Sequence, residues 1–187
     1  FAHIKTSFLC PRNGVHIIDI ILSLLLIIIL LPLIILISII EIFNIGFPII
    51  FKQSREGKNK MPFNIYKFRT LKINYNNDTT TKFTRFLRKT GLDELPQLFN
   101  ILKGDMSFIG PRPFLINDSL PDDYIDPIRY TVKPGIFGLA QANGRREIEH
   151  HEKLKYDVEY AKNISFLLDF KCFFKTIYVV IIQSIKG

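Results

Sequence analysis

Two adjacent carboxylates, Asp93 and Glu94, stand inside the string Thr90-Gly91-Leu92-Asp93-Glu94-Leu95-Pro96-Gln97-Leu98-Phe99-Asn100. The stripe Leu92, Leu95, Leu98, Phe99 and Leu102 predicts a helix over 92–103, and Gly104 is a natural stop for it. With Asp93 as its N-cap, Pro96 falls in the first turn, where proline is tolerated. A carboxylate there sees the positive end of the helix dipole, which favours the ionised, nucleophilic form. The same helix end offers free N–H groups to a phosphate. Neighbouring side chains diverge, so one acid is free to attack while the other holds a divalent cation. Out of context, the commoner meaning of such a pair is a plain helix cap.

Cations surround this string in the sequence. Lys103-Gly104-Asp105-Met106-Ser107-Phe108-Ile109-Gly110-Pro111-Arg112-Pro113 follows it, and Arg85, Arg88 and Lys89 precede it. Lys133-Pro134-Gly135 and Asn143-Gly144-Arg145-Arg146 add more. Taken singly, each reads as a solvated surface charge. Several loops fixed by Gly and Pro, each carrying a guanidinium, suit a diphosphate better, because the planar fork of Arg matches phosphate oxygens. The neighbours His150 and His151 read as a solvated pair rather than metal ligands.

These loops need elements to hold them. Phe63 to Phe68 alternates as a short strand, 72–81 is a polar loop, and 82–89 is a basic helix. Ser107 to Pro113 and Lys133 to Gly144 read as Gly/Pro loops. Residues 152–186 form one or two amphipathic helices with a Phe-rich face from Phe166 to Ile185. That face either packs on the core or lies in a membrane interface with its lysines toward headgroups.

The first part of the chain differs. Ile17 to Ile40 is a run of 24 residues interrupted only by Asp19, Ser23, Pro32 and Ser38. As a helix it reaches about 36 Å, enough for a bilayer core. Pro32 near its middle removes a backbone donor and favours a kink. Both flanks are basic, with Lys5 and Arg12 before and Lys52, Arg55, Lys58 and Lys60 after, which the positive-inside rule places on one side. The residues fit a kinked spanning helix and a helix that enters and leaves by the same face. The chain divides into a lead (1–14), a membrane segment (15–51) and a basic globular domain (52–187).

The whole chain has 187 residues, 48% of them hydrophobic, and carries a formal net charge of +8. Basic chains suit anionic lipid, phosphate substrates or nucleic acid, and the membrane run argues against nucleic acid. Two distant cysteines, Cys10 and Cys172, give no disulfide framework or zinc motif.

The strings Tyr66-Lys67-Phe68-Arg69-Thr70, Leu92 through Asn100, Lys103 through Ser107, Gly110-Pro111-Arg112-Pro113 and Pro134-Gly135-Ile136 through Arg145 resemble the bacterial sugar transferase family, the monotopic phosphoglycosyl transferases. The nearest likeness is to the short form that initiates Campylobacter-type N-linked protein glycosylation. The resemblance covers nearly the whole chain, and its motifs are long and ordered. It implies a mostly α fold with a small β element: an N-terminal re-entrant membrane helix broken at Pro32, then a compact membrane-associated catalytic domain with amphipathic interfacial helices.

It also implies an activity. Asp93 would attack the sugar-linked phosphate of a UDP-sugar, releasing UMP, and polyprenol phosphate would take the phosphosugar from the aspartyl intermediate. Glu94, with Asp93, would hold Mg²⁺ or assist proton and charge handling in catalysis, and Arg88, Arg112 and Arg145 would contact phosphate. The enzyme would sit at the cytoplasmic face of a bacterial inner membrane, starting glycoconjugate synthesis for downstream glycosyltransferases. The chain departs from the family pattern at Val15-His16, where a basic pair is usual, and at Leu31, where Ser precedes the membrane proline. It departs also at Lys133, in place of Arg, and near His150-His151, where a Trp is missing. The competing reading is a catalytically silent membrane adaptor that binds anionic lipid; the intact Asp93-Glu94 pair and Arg-bearing loops argue against it.

Overall fold

The computed structural model describes residues 13–71, 80–116, 126–145 and 147–186. The N-terminal lead with Lys5 and Arg12, most of the polar loop at 72–81, and Arg146 lie outside the described residues. Helix α1 (Asn13–Asn44) is followed by an antiparallel pair, β1 (Ile50–Glu56) and β2 (Pro62–Phe68). Helix α2 (Lys82–Thr90), a 3₁₀ turn (Leu92–Glu94) and α3 (Gln97–Lys103) come next. Strand β3 (Ser107–Ile109) pairs in parallel with β4 (Gly135–Phe137), which follows a 3₁₀ helix (Pro127–Thr131). The chain closes with α4 (Leu139–Ala142), α5 (His150–Lys162) and α6 (Phe166–Lys186). The mostly helical fold with small sheets is the expected class.

Helix α1 continues through Pro32. Its polar interruptions are not scattered. Asp19, Ser23 and Glu41 are buried on the same face as Ile27 and Ile37, spaced mostly by four residues, so they follow one helical stripe. Ile27 joins the main core of Ile65, Leu98, Ile101, Met106 and Tyr160, and Ile37 packs with Phe68 and Leu87. The remaining circumference is bare: Ile17, Ile18, Ile21, Ile28 and Ile29 are each about 60% exposed. Only 11% of the most apolar window is buried, which is not how a soluble core helix sits.

The helix expected over 92–103 is divided. Pro96 has no N–H to return to the Leu92 carbonyl, which takes the Leu95 N–H instead at 3.3 Å, while Glu94 N donates to Gly91 O at 3.0 Å. The segment therefore tightens into a 3₁₀ turn before α3 begins. Gly104 ends α3 in the left-handed conformation (φ 87°), as expected. Asn100, wholly buried, stitches α3 to β2: its side chain accepts from Tyr66 N at 3.0 Å and donates to Asn64 O at 2.7 Å.

The Gly/Pro stretches expected as loops contain β3 and β4, because their glycines permit backbone contact closer than any side chain allows. A Cβ on Gly135 would lie 2.2 Å from Gly110 N and 2.6 Å from the Ile109 carbonyl carbon. Both are main-chain atoms and cannot turn aside. Gly135→Ala is expected to cost at least about 2 kcal/mol, in the upper range for overpacking, read as a lowered midpoint in thermal unfolding of the detergent-solubilised protein.

The C-terminal segment is two helices. Cys172 and Thr176 bury one side of α6, while Phe166 (85%), Leu167 (77%), Phe170, Phe174 and Tyr178 stay exposed. Part of this face therefore packs inward on the core, and a Phe-rich part stays uncovered.

Candidate active site

The left-handed Gly91 (φ 77°) terminates α2 and turns the chain so that the 3₁₀ turn presents Asp93 and Glu94 side by side. Asp93 is thus not the N-cap of an α-helix: it lies within the 3₁₀ turn that Gly91 caps, and Pro96 takes the N-cap position of α3. Glu94 is 8% exposed. Its Oε1 accepts from Lys67 Nζ at 2.8 Å and from Arg112 Nη2 at 2.7 Å. Burial pushes its carboxyl upward, but Arg112 and Lys67 more than offset this and hold it far below the usual carboxylate range.

Lys67 is a site residue that sequence reasoning passes over. It lies on the same face of β2 as Ile65, which is 3% exposed, and a lysine at a core-facing strand position was the available signal. Burial lowers its pKa, with Glu94 opposing.

Asp93 is half-buried. Burial, and then the neighbouring Glu94, raise its pKa to about 6; Lys67, Arg112 and Arg145 pull the other way. At neutral pH it remains mostly ionised, but it is more basic than an exposed aspartate. Among the described residues no hydrogen-bond donor engages its carboxylate, which leaves the oxygens open to a substrate. Arg145 adopts a positive φ (53°), and its Nη2 lies 3.8 Å from where a Cβ would stand on Gly91.

A cavity of about 810 Å³ opens beside these groups. Glu94, Arg112 and Arg145 line it; Asp93 and Arg88 do not. Its walls are otherwise largely apolar, from Leu22, Leu26 and Leu30 of α1 and Phe170, Phe173 and Phe174 of α6. Asp19 also reaches it, and its Oδ2 accepts from Ser107 Oγ at 2.7 Å. A carboxylate inside an apolar run is a signal of function or of a polar partner; here it ties α1 to β3.

The bacterial sugar transferase family model matches residues 12–183. The chain belongs to this family. It is 46% identical over 150 residues to the uncharacterized sugar transferase EpsL of Bacillus subtilis, covering 75% of this chain and 73% of that protein. It is 38% identical over 193 residues to the UDP-glucose:undecaprenyl-phosphate glucose-1-phosphate transferase of Klebsiella pneumoniae, covering 90% of this chain and 41% of that protein. It is 37% identical over 163 residues to the undecaprenyl-phosphate galactose phosphotransferase of Salmonella typhimurium, covering 73% and 34%. The chain thus spans less than half the length of the latter two relatives.

In this bacterial sugar transferase the sequence-derived site residues fall into two groups. Glu94, Arg112 and Arg145 gather around Asp93, whose charge they each influence. Arg88 stands exposed in the last turn of α2, where a cation favours the helix terminus. Among the described residues, no cluster of three or more His, Cys, Asp or Glu side chains could enclose a metal. The Asp93-Glu94 pair still suits Mg²⁺, which commonly takes one or two carboxylates and completes its shell with water and substrate phosphates.

Proposed function

We propose that this chain transfers a phosphosugar from a UDP-sugar to polyprenol phosphate, with Asp93 as the covalent nucleophile. The observation that carries this reading is the open, ionisable Asp93 carboxylate beside a Glu94 already clamped by Lys67 and Arg112. It is joined by the family match and by the substrates named for the Klebsiella and Salmonella relatives.

An Asp93 oxygen attacks the sugar-linked phosphorus, and the bond to the bridging oxygen breaks, so that UMP departs with the electron pair. An oxygen of polyprenol phosphate then attacks the same phosphorus and displaces Asp93. Each step exchanges one P–O bond for another, which divides a hard transfer into two easier ones. Arg112 and Arg145 supply fixed positive charge for the phosphoryl oxygens. Mg²⁺ held by Asp93 and Glu94 would neutralise charge on the diphosphate.

The apolar cavity walls give the acceptor's hydrocarbon chain a path to the charged residues. Membrane attachment through 15–51 is supported by the bare apolar circumference of α1. The re-entrant form is supported by attachment near both ends to one domain: Asp19 bonds Ser107, and Asn44 Nδ2 donates to Thr81 Oγ1 at 2.8 Å. A helix crossing the bilayer would carry its two ends to opposite faces. The exposed phenylalanines of α6 suit the interface of the same leaflet, at the cytoplasmic face of a bacterial inner membrane, where downstream glycosyltransferases would extend the product.

The reading is tested by UMP release from a panel of UDP-sugars with Mg²⁺ and polyprenol phosphate in detergent. Release that depends on the acceptor is expected with at least one sugar; no release from any would reject the reading. Single cysteines near residues 8 and 52, placed in a Cys10→Ser/Cys172→Ser background, are expected to react with an impermeant label from the same side of the membrane. Labelling from opposite sides would refute the re-entrant anchor.

A further inference from the structure

Arg112 sits between Pro111 and Pro113, so neither neighbouring residue has an N–H with which to fasten the loop. The loop is held instead by its carbonyls. Pro111 O accepts from Gly135 N at 2.9 Å, Phe114 O from Glu56 N at 3.0 Å, and Pro113 O from Arg55 Nη1 at 3.2 Å. The carbonyl of Arg112 itself is taken by Arg129 Nη2.

Arg129 comes from the 3₁₀ helix before β4 and is fixed on two further sides. Its Nε donates to Asp157 Oδ2 of α5 at 3.0 Å, with the two side chains only 2% and 3% exposed. Its guanidinium carbon lies 3.6 Å from the centroid of the Phe114 ring. This pair is an expensive way to gain stability. A buried ion pair seldom outperforms apolar packing, and Asp157 Oδ1 is buried with no hydrogen-bond partner. Burial pushes the Asp157 carboxyl up to about 6 against the pull of Arg129. What the pair does supply is a rigid, directional donor aimed at the backbone of the one loop residue that bonds Glu94.

We infer that Arg129 is a positioning residue for Arg112, oriented by Asp157, and that the pair sets the placement of the Arg112 guanidinium over the Asp93-Glu94 dyad. This rests on the transferase reading above. Neither residue touches the dyad; both act through the Arg112 main chain. Small misplacements of a clamping group cost roughly 10- to 100-fold in rate, and that is the loss expected when the donor is removed.

The test is a double-mutant cycle on UMP release in full-length, detergent-solubilised protein, with thermal unfolding measured alongside. Arg129→Met/Asp157→Leu removes both charges together, so no lone charge is buried. Asp157→Asn keeps the shape and removes the carboxylate that orients Arg129. Each is made in the wild-type and Arg112→Ala backgrounds. The expected result is a folded variant whose kcat/KM falls roughly 10- to 100-fold in the wild-type background and little or not at all once Arg112 is gone. An equal fractional loss in both backgrounds, or full activity in a folded variant, would overturn the inference. Failure of both variants to fold would assign the pair to stability alone and overturn it too. Inactivity of the wild type with every UDP-sugar would instead strike the transferase reading.

Discussion

Asp93→Asn is expected to lower acceptor-dependent UMP release by at least about a thousandfold, the scale of losing a covalent nucleophile, without loosening the fold. The amide keeps the shape of the carboxylate but cannot attack phosphorus. Its effect on stability has a sign that can be worked out. Burial and Glu94 raise the Asp93 pKa to about 6, so the folded state binds this proton more tightly than the unfolded chain does. The stability linked to that proton is present below the ordinary aspartate range and is lost as pH rises through about 6. At neutral pH the charge is a burden on the metal-free protein. The Asn variant should therefore unfold at the same or a higher temperature in EDTA. A variant with full turnover would remove the covalent scheme, and an inactive variant that melts far below wild type would leave the loss attributable to misfolding.

Glu94→Gln is expected to reduce turnover by roughly 10²- to 10³-fold, about 3–4 kcal/mol of barrier, and to act oppositely on stability. Glu94 Oε1 is the shared acceptor for Lys67 and Arg112. The amide leaves two cations without their counter-charge, and Arg112 loses the contact that holds its side chain. Because the folded-state pKa of Glu94 is depressed, its contribution is present above the ordinary glutamate value and is lost as pH falls toward the folded value. In EDTA, the wild type should be more stable than Glu94→Gln near neutrality, with the gap closing as acidity increases below about pH 4.5. A gap of the opposite sign at neutral pH would contradict the clamped-carboxylate geometry. The adjacent acids thus have distinct environments, one open and more basic than usual, the other paired and held ionised by its two cations.

Much of this arrangement was readable from residue types. The strand ending at Phe68 and the stop at Gly104 follow from local chemistry, whereas the Asp93-Glu94 pair and the loop arginines stand out as a site only through the resemblance of their strings to the family's motifs. What escaped depends on contacts between distant segments. Pro96 reads as a tolerated first-turn residue, and only the folded chain shows the Leu92 carbonyl turning to Leu95 and dividing the helix. Gly110 and Gly135 read as loop punctuation, although they lie 25 positions apart and meet main chain to main chain. Lys67 and Asp19 each break an apolar pattern, a local anomaly whose partner, Glu94 or Ser107, is a long-range fact. Arg88 matches the expected type and region but stands exposed at a helix end, because sequence proximity to Asp93 does not determine which way a helical side chain faces.

The most direct measurement is mass spectrometry of the protein incubated with a competent UDP-sugar and Mg²⁺ in the absence of polyprenol phosphate. The expected result is an added sugar-phosphate mass that maps to the peptide containing Asp93 and disappears when the acceptor is supplied. An active enzyme that releases UMP only when both substrates are present, and never carries that mass on Asp93, would contradict the two-step transfer.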